Sequence, residues 1–159
     1  MKTFLYGAIA GAAGTTAIES ATYLDMALRG RPSSSIPAHV VRELALRAHI
    51  EPLAAPDDTA NDVTKRRRSA LGELSGHAIG IGIGAAYGLL APLLTRTPAI
   101  ARAMALGAAA MAAADVPAAL LGATDPREWE PVSWLADIVP HMIYGMATVA
   151  VYDAIANPQ

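Results

Sequence analysis

Residues 74–94 read LSGHAIGIGIGAAYGLLAPLL, an apolar stretch in which a glycine stands at every fourth position from Gly76 to Gly88. The stretch contains no Asp, Glu, Lys or Arg, and an α-helix needs about 20 mostly apolar residues to cross a bilayer. A helix on the surface of a soluble protein would carry a polar stripe along its outer face, and Ile79–Leu94 shows none. The stretch is therefore predicted to be a transmembrane helix.

Three more stretches have the same character, namely Phe4–Leu28, Ile100–Gly122 and Val132–Ala156. Across the chain 53% of the residues are hydrophobic and 16% are charged, and the charges concentrate between the first and second stretches. Four spans and one loop use up nearly all of the 159 residues. We therefore expect an all-α integral membrane bundle of four transmembrane helices in a single domain, residues 1–159. A soluble, alanine-rich four-helix bundle is the alternative.

Glycines spaced by four indicate how the helices pack. In lipid, small residues four apart lie on one helix face and let two backbones approach closely. The pattern predicts a packing face that serves contacts within the chain or between copies of it. The residues of this glycine face are Gly76, Gly80, Gly84 and Gly88 in the second stretch, with Gly7 and Gly11 in the first.

The segment from residue 29 to residue 72 is predicted to be a soluble loop. Within it, apolar and charged residues follow a helical pattern over Ala38–Ile50, which favours a short amphipathic helix in the plane of the membrane interface. The loop ends in a basic run that anchors the topology or, alternatively, binds anionic lipid headgroups. This run consists of Lys65, Arg66, Arg67 and Arg68.

The lysines and arginines are distributed unevenly between the two sides of the predicted bundle. The side with the long loop carries most of them, whereas the side with both termini carries Lys2, Arg96 and Arg102. Because cytoplasmic loops are enriched in Lys and Arg, we expect the long loop in the cytoplasm and both termini outside. With the alanine- and arginine-rich composition, this predicts a multi-pass protein of a bacterial inner membrane.

The ionisable residues inside the predicted spans fall at related depths. Because hairpin-connected spans alternate in direction, residues late in one span and early in the next lie in the same half of the bilayer. Such groups are costly to bury unpaired, so they mark candidate functional sites. Five of them are predicted to gather in one half of the membrane: Glu19, His77, Asp115, Asp137 and His141.

The fourth span holds the most specific arrangement, because Asp137 and His141 are four residues apart and share a helix face. Pro140 in this span and Pro117 in the third each remove a helix hydrogen bond, which predicts half-broken helices beside a polar cavity. Three interpretations of the cluster stay open. It can be a set of mutually satisfied structural pairs, a site for protons or cations, or a metal site formed by His77, His141 and a carboxylate such as Asp137.

Several classes of function find no support in the sequence. The lack of cysteine removes disulfides, thiolate catalysis and thiolate metal ligands. No Ser/His/Asp spacing and no cofactor fingerprint occurs, so neither an enzyme nor a cofactor is predicted. A net charge of −2 gives no reason to expect a nucleic-acid partner. The predicted partners are the lipid bilayer and, through the glycine face, a second copy or another membrane protein.

The order of these features resembles the YagU-like family of small bacterial inner-membrane proteins. The resemblance rests on four segments: Gly7 to Glu19 in the first span, Gly76-His77 opening the second, Pro117-Ala-Ala-Leu-Leu-Gly-Ala-Thr124 ending the third, and Asp137-Ile-Val-Pro-His141 in the fourth. That family is linked to acid resistance, which would suit proton-sensitive His/carboxylate pairs. The expected function is proton or cation handling related to acid stress. The alternative is a structural or partner-binding membrane subunit.

Overall fold

The computed structural model describes residues 1–156, so the last three residues of the predicted domain lie outside it. The described chain is all-α, as predicted, and residues 1–156 contain no strand. The α-helices of this part are α1 (Lys2–Arg29), α2 (Ile36–Arg47), α3 (Asp62–Leu90), α4 (Ala99–Leu121) and α5 (Pro131–Ala156). Short 3-10 turns follow α3 at Ala91–Leu93 and precede α5 at Pro126–Glu128.

Three helical segments of the described chain are long and apolar enough to cross a membrane: Asp62–Leu93, Ala99–Leu121 and Pro131–Ala156. Their length and composition are those of a membrane protein. Helix α1 has the length, at 28 residues, but it is not one of the three. Much of α1 is Gly, Ala, Ser and Thr, which are less apolar than Leu or Ile.

Helix α3 begins at Asp62, well before the predicted start of the span at Leu74. Asn61 caps the helix, because its side-chain oxygen accepts a hydrogen bond from the Thr64 backbone N–H at 2.9 Å. Residues 65–68 are therefore helical rather than the end of a loop.

Helices α4 and α5 run without a break through Pro117 and Pro140. The predicted half-broken helices are therefore wrong. A proline removes one donor from the helix, and the hydrogen bonds on either side of each proline are enough to keep these two helices continuous.

The chain divides into two compact units, each described here by itself. The first unit contains α1, residues 77–90 of α3, residues 99–113 of α4, and α5. Its core consists mainly of alanines and tyrosines. The small alanines let the helices approach closely, and the long tyrosine side chains extend to neighbouring helices. The buried residues of this core are Ala10, Tyr87, Ala91, Ala103, Leu106, Ala110, Tyr144, Val149 and Tyr152.

Tyrosine hydroxyls fix the direction of α5 against α3 in this unit. The hydroxyl of Tyr144 donates to the carbonyl oxygen of Gly80 at 2.6 Å, and that of Tyr152 donates to the carbonyl oxygen of Gly88 at 3.3 Å. Both pairs are 64 residues apart in the chain, so α3 and α5 run parallel here. Helix α1 runs antiparallel to both and packs along α5.

Large apolar side chains of the first unit lie on its outside. Soluble proteins bury most of their Leu and Ile, whereas the buried positions of this unit are mostly Ala, Gly, Thr and Tyr. Because lipid solvates large aliphatic side chains and helices in lipid associate through small residues, this distribution suits a bilayer. Exposed examples are Leu5, Ile9, Leu24, Leu89 and Ile100.

The second unit, residues 33–76 and 114–129, is organised around one buried arginine. Arg68 is 2% exposed. Its guanidinium donates to the carbonyl oxygens of Leu53 and Ala55 and to the carboxylate of Asp57. These bonds satisfy backbone groups of the non-helical segment between α2 and α3.

A second, exposed ion pair of this unit lies in the turn before α5. Asp125 accepts hydrogen bonds from the backbone N–H of Arg127 at 3.0 Å and from its guanidinium. The Arg127 guanidinium lowers the pKa of the Asp125 carboxyl group. The pair is a local turn motif between residues two positions apart.

Candidate functional site

The first His/carboxylate pair joins two helices of the first unit. Glu19 on α1 and His77 on α3 approach with Oε1 and Nε2 3.0 Å apart. The side chains are 32% and 47% exposed, respectively, so the pair lies at the surface of the unit rather than in its core.

The second pair lies within α5, where Asp137 and His141 are one turn apart. The Nδ1 atom of His141 is 3.2 Å from the Asp137 carboxylate and 2.9 Å from the Asp137 carbonyl oxygen. Both neighbours are hydrogen-bond acceptors, so Nδ1 carries a proton. The nitrogen that can gain or lose a proton is then Nε2. The side chain of His141 is 13% exposed, which places it deeper than His77.

The two pairs lie at nearly the same height in the first unit. His77 precedes Gly80 by three residues on α3, and His141 precedes Tyr144 by three residues on α5, where Tyr144 bonds to Gly80. Because the two helices run parallel and rise by about 1.5 Å per residue, the histidines lie within about one helical turn of a common level.

Four of the five ionisable residues predicted to gather form two pairs, Glu19–His77 and Asp137–His141, and a single buried cluster of all five stays a prediction. Asp115 lies on α4 within the second unit and is half-buried. Within residues 1–156 no three His, Cys, Asp or Glu side chains are placed to hold a metal ion. The metal interpretation of His77, His141 and Asp137 therefore finds no geometric support.

Glycines hold α1 and α3 in direct backbone contact. A Cβ atom added at Gly84 would collide with the backbone of Gly7 and Gly11, and one added at Gly88 would collide with the backbone of Thr3 and Gly7. A Cβ atom at Gly80 would meet the hydroxyl of a threonine on α1. These positions therefore require glycine for the observed approach.

Not every predicted glycine takes part in this approach. A Cβ atom at Gly76, or at Gly82 on another side of α3, would meet no atom within 4 Å. Gly76 was predicted as a member of the glycine face, and its surroundings leave room for a side chain. The glycine contact thus runs from Gly80 to Gly88 on α3.

The basic run splits into two kinds of residue. Lys65, Arg66 and Arg67 are exposed on α3, where headgroup binding stays a prediction. Arg68 is buried and its guanidinium is engaged with the chain itself. The sequence of the basic run did not indicate that Arg68 would be buried and the other three residues exposed.

A polar network at the other end of the first unit was missed. Arg102 on α4 forms two hydrogen bonds with the Asp153 carboxylate on α5, at 2.9 and 2.8 Å, and donates to the Tyr87 hydroxyl at 2.7 Å. The Tyr87 and Tyr152 rings meet edge to face at 5.2 Å. Arg102 lies near the start of α4 and Asp153 near the end of α5, and only the pairing of these helix ends could have revealed the contact from the sequence.

Comparison of the chain with protein-family models, with curated proteins and with solved structures gives no match in any of the three. The function is therefore argued from the geometry of the chain itself.

Proposed function

We propose that this protein is a multi-pass protein of a bacterial inner membrane that binds and releases protons through its two His/carboxylate pairs. The observation that carries the proposal is the common level of the Glu19–His77 and Asp137–His141 pairs in a unit whose outside is apolar. Ionisable residues inside membrane spans are typical of proton relays.

The proposal includes α1 as a fourth span. The side of α1 that packs inward consists of glycine, alanine and threonine, whereas its outer side carries Leu5, Ile9 and Leu24. A helix with this distribution places its large apolar side chains in lipid and its small residues against neighbouring helices. Its ionisable Glu19 is paired with His77, which lowers the cost of embedding both groups.

Histidine is the side chain that most readily exchanges a proton at physiological pH. The Glu19–His77 pair links α1 to α3, so its charge state affects a contact between helices. The Asp137–His141 pair lies one turn apart within α5. In this proposal both pairs exchange protons. The resemblance to the YagU-like family agrees with a role in acid stress and stays part of this proposal.

Proton flux into vesicles tests the function. The purified full chain is reconstituted in phospholipid vesicles with a trapped pH dye, and a potassium diffusion potential drives protons inward. We expect flux from the wild type and loss to the level of empty vesicles for a His77→Gln/His141→Gln double variant. The control is His39→Gln, which changes a half-exposed histidine on α2, outside the two pairs. Equal flux from the double variant and the wild type would refute the proposal, provided both elute as the same monodisperse species.

The alternative, a structural subunit that binds partners through the glycine face, meets one geometric objection. Gly80, Gly84 and Gly88 are already in contact with α1 of the same chain. A partner helix would therefore have to use another face.

A further inference from the structure

The start of α3 carries three cations that the proposed function does not use. Lys65, Arg66 and Arg67 are exposed, and none of the ion pairs within residues 1–156 involves them. Their neighbour Arg68, by contrast, is buried and paired with the Asp57 carboxylate at 2.6 Å. Three positive charges of the basic run are therefore available to a ligand outside the chain.

The packing of the second unit determines which side of α3 these cations occupy. Thr64, Arg68 and Gly72 follow one another at intervals of four residues and are all buried, so they form one line along the helix. A Cβ atom added at Gly72 would collide with Pro37 at the start of α2. This line is therefore the inner side of α3, and the three exposed cations lie on its outer sides.

The length of the helical segment Asp62–Leu93 places the cations at the level of the lipid headgroups. Its 32 residues extend about 48 Å at about 1.5 Å per residue, which exceeds a hydrocarbon core of about 30 Å by about 18 Å. Residues 74–93 contain no Asp, Glu, Lys or Arg, whereas six of the twelve residues 62–73 are charged. The charged end is therefore the end that lies outside the hydrocarbon.

Apolar side chains lie between the cations and the hydrocarbon on the same outer side. Leu71 and Leu74 come four and seven residues after Arg67, so the three share a helix face, and the two leucines are 43% and 64% exposed. The cations lie about 10–14 Å before Leu74 along the helix, and long Lys and Arg side chains reach back toward the interface from this distance. The face thus offers charge to a headgroup and apolar surface to an acyl chain.

We propose that this outer face of α3 binds an anionic phospholipid, with the lipid phosphate at the cations and the acyl chains along the leucines. The residues of the face are Lys65, Arg66, Arg67, Leu71 and Leu74. Charge complementarity selects the ligand, because clusters of Lys and Arg next to a membrane span attract anionic lipids and guanidinium groups form strong, paired hydrogen bonds with phosphate. A zwitterionic lipid offers the same phosphate with its charge offset by its own ammonium group. The proposal does not depend on the proposed proton-handling function.

The preference of the full chain for anionic lipid tests the proposal. The purified protein in neutral detergent micelles receives equal amounts of phosphatidylglycerol and phosphatidylcholine with the same acyl chains, and native mass spectrometry gives the apparent association constant of the first bound lipid of each kind. We expect the wild type to bind phosphatidylglycerol about tenfold or more tightly than phosphatidylcholine, since each Lys or Arg near the surface adds about fivefold. A Lys65→Gln/Arg66→Gln/Arg67→Gln variant should lose the preference.

Two control variants separate this face from charge in general. Lys65→Arg/Arg66→Lys/Arg67→Lys keeps the three charges and should keep most of the preference. Arg96→Gln removes an exposed cation from the turn between α3 and α4 and should bind both lipids as the wild type does. If the triple glutamine variant does not elute as the same monodisperse species as the wild type, Arg67→Gln alone replaces it, with an expected loss of about fivefold.

Four results would overturn the proposal. The first is a wild type that binds both lipids alike, and the second is a glutamine variant that prefers phosphatidylglycerol as strongly as the wild type. The third is an equal loss of preference in Arg96→Gln, because the preference would then follow the total charge of the chain. The fourth is displacement of phosphatidylglycerol by inorganic phosphate at equal concentration, which would make a free anion, and not a lipid, the ligand of this face.

Discussion

The two units of the chain satisfy their backbones in different ways. In the first unit the backbone is helical and satisfies itself, so the close approach of helices at Gly84 and Gly88 decides the packing. In the second unit, residues 48–61 between α2 and α3 are not helical, and the guanidinium of Arg68 supplies donors to their carbonyl oxygens. Small side chains are therefore irreplaceable in the first unit, whereas a single large, charged side chain is irreplaceable in the second.

The largest effect is expected from a side chain placed in the glycine contact. Gly84→Leu would drive its Cβ atom into the backbone of Gly7 and Gly11, which cannot move aside as a side chain can. Overpacking of this kind costs about 3 kcal/mol or more. Gly82→Leu, two residues away, meets no atom within 4 Å and is the matched control. Thermal unfolding in detergent, followed by size-exclusion chromatography, measures both.

Equal loss of folded protein in the two leucine variants would show that α3 has no preferred side towards α1. The close approach at Gly84 would then not be what decides the packing of the first unit.

A smaller effect is expected from the arginine of the second unit. Arg68→Ala removes three donor contacts to Leu53, Ala55 and Asp57 and should destabilise this segment by about 2 kcal/mol. The amide of Ala60, which bonds to the Pro56 carbonyl oxygen at 2.8 Å, should then exchange its hydrogen about 30-fold faster. The measurement is hydrogen exchange of the full chain in detergent.

Arg67→Ala is the control for this variant, since Arg67 is exposed on the neighbouring position of α3 and its loss should change stability by about 0.5 kcal/mol at most. If the two alanine variants exchange alike at Ala60, the buried guanidinium is not what holds the second unit together.

The helices were largely predictable from the sequence, because each follows from a long apolar run. The predicted stretches Phe4–Leu28, Ile100–Gly122 and Val132–Ala156 fall almost residue for residue on α1, α4 and α5. The start of α3 was not predicted, because the cap at Asn61 is a local hydrogen bond in a polar segment where hydropathy carries no information. Pro140 misled the prediction because proline weakens an isolated helix, while here the rest of α5 is long enough to remain helical.

Of the candidate site, the sequence predicted the two His/carboxylate pairs. Asp137 and His141 share a helix face by spacing alone, and Glu19 lies late in the first span as His77 lies early in the second. To predict whether all five ionisable residues touch, one must know on which side of its helix each one lies, and this depends on the rotation of each helix about its axis. Hydropathy and spacing do not set that rotation.

The most direct test of the central claim, that α1 crosses the bilayer with its large apolar side chains in lipid, is the environment of a spin label at Ile9. The chain has no cysteine, so Ile9→Cys gives a single labelling site, with Asp58→Cys in the exposed segment before α3 as the water-facing control. In phospholipid vesicles, electron paramagnetic resonance should show the Ile9 label relaxed by dissolved oxygen and shielded from a water-soluble nickel chelate, and the Asp58 label the reverse. A label at Ile9 that the nickel chelate reaches as readily as at Asp58 would place α1 in water and contradict the account.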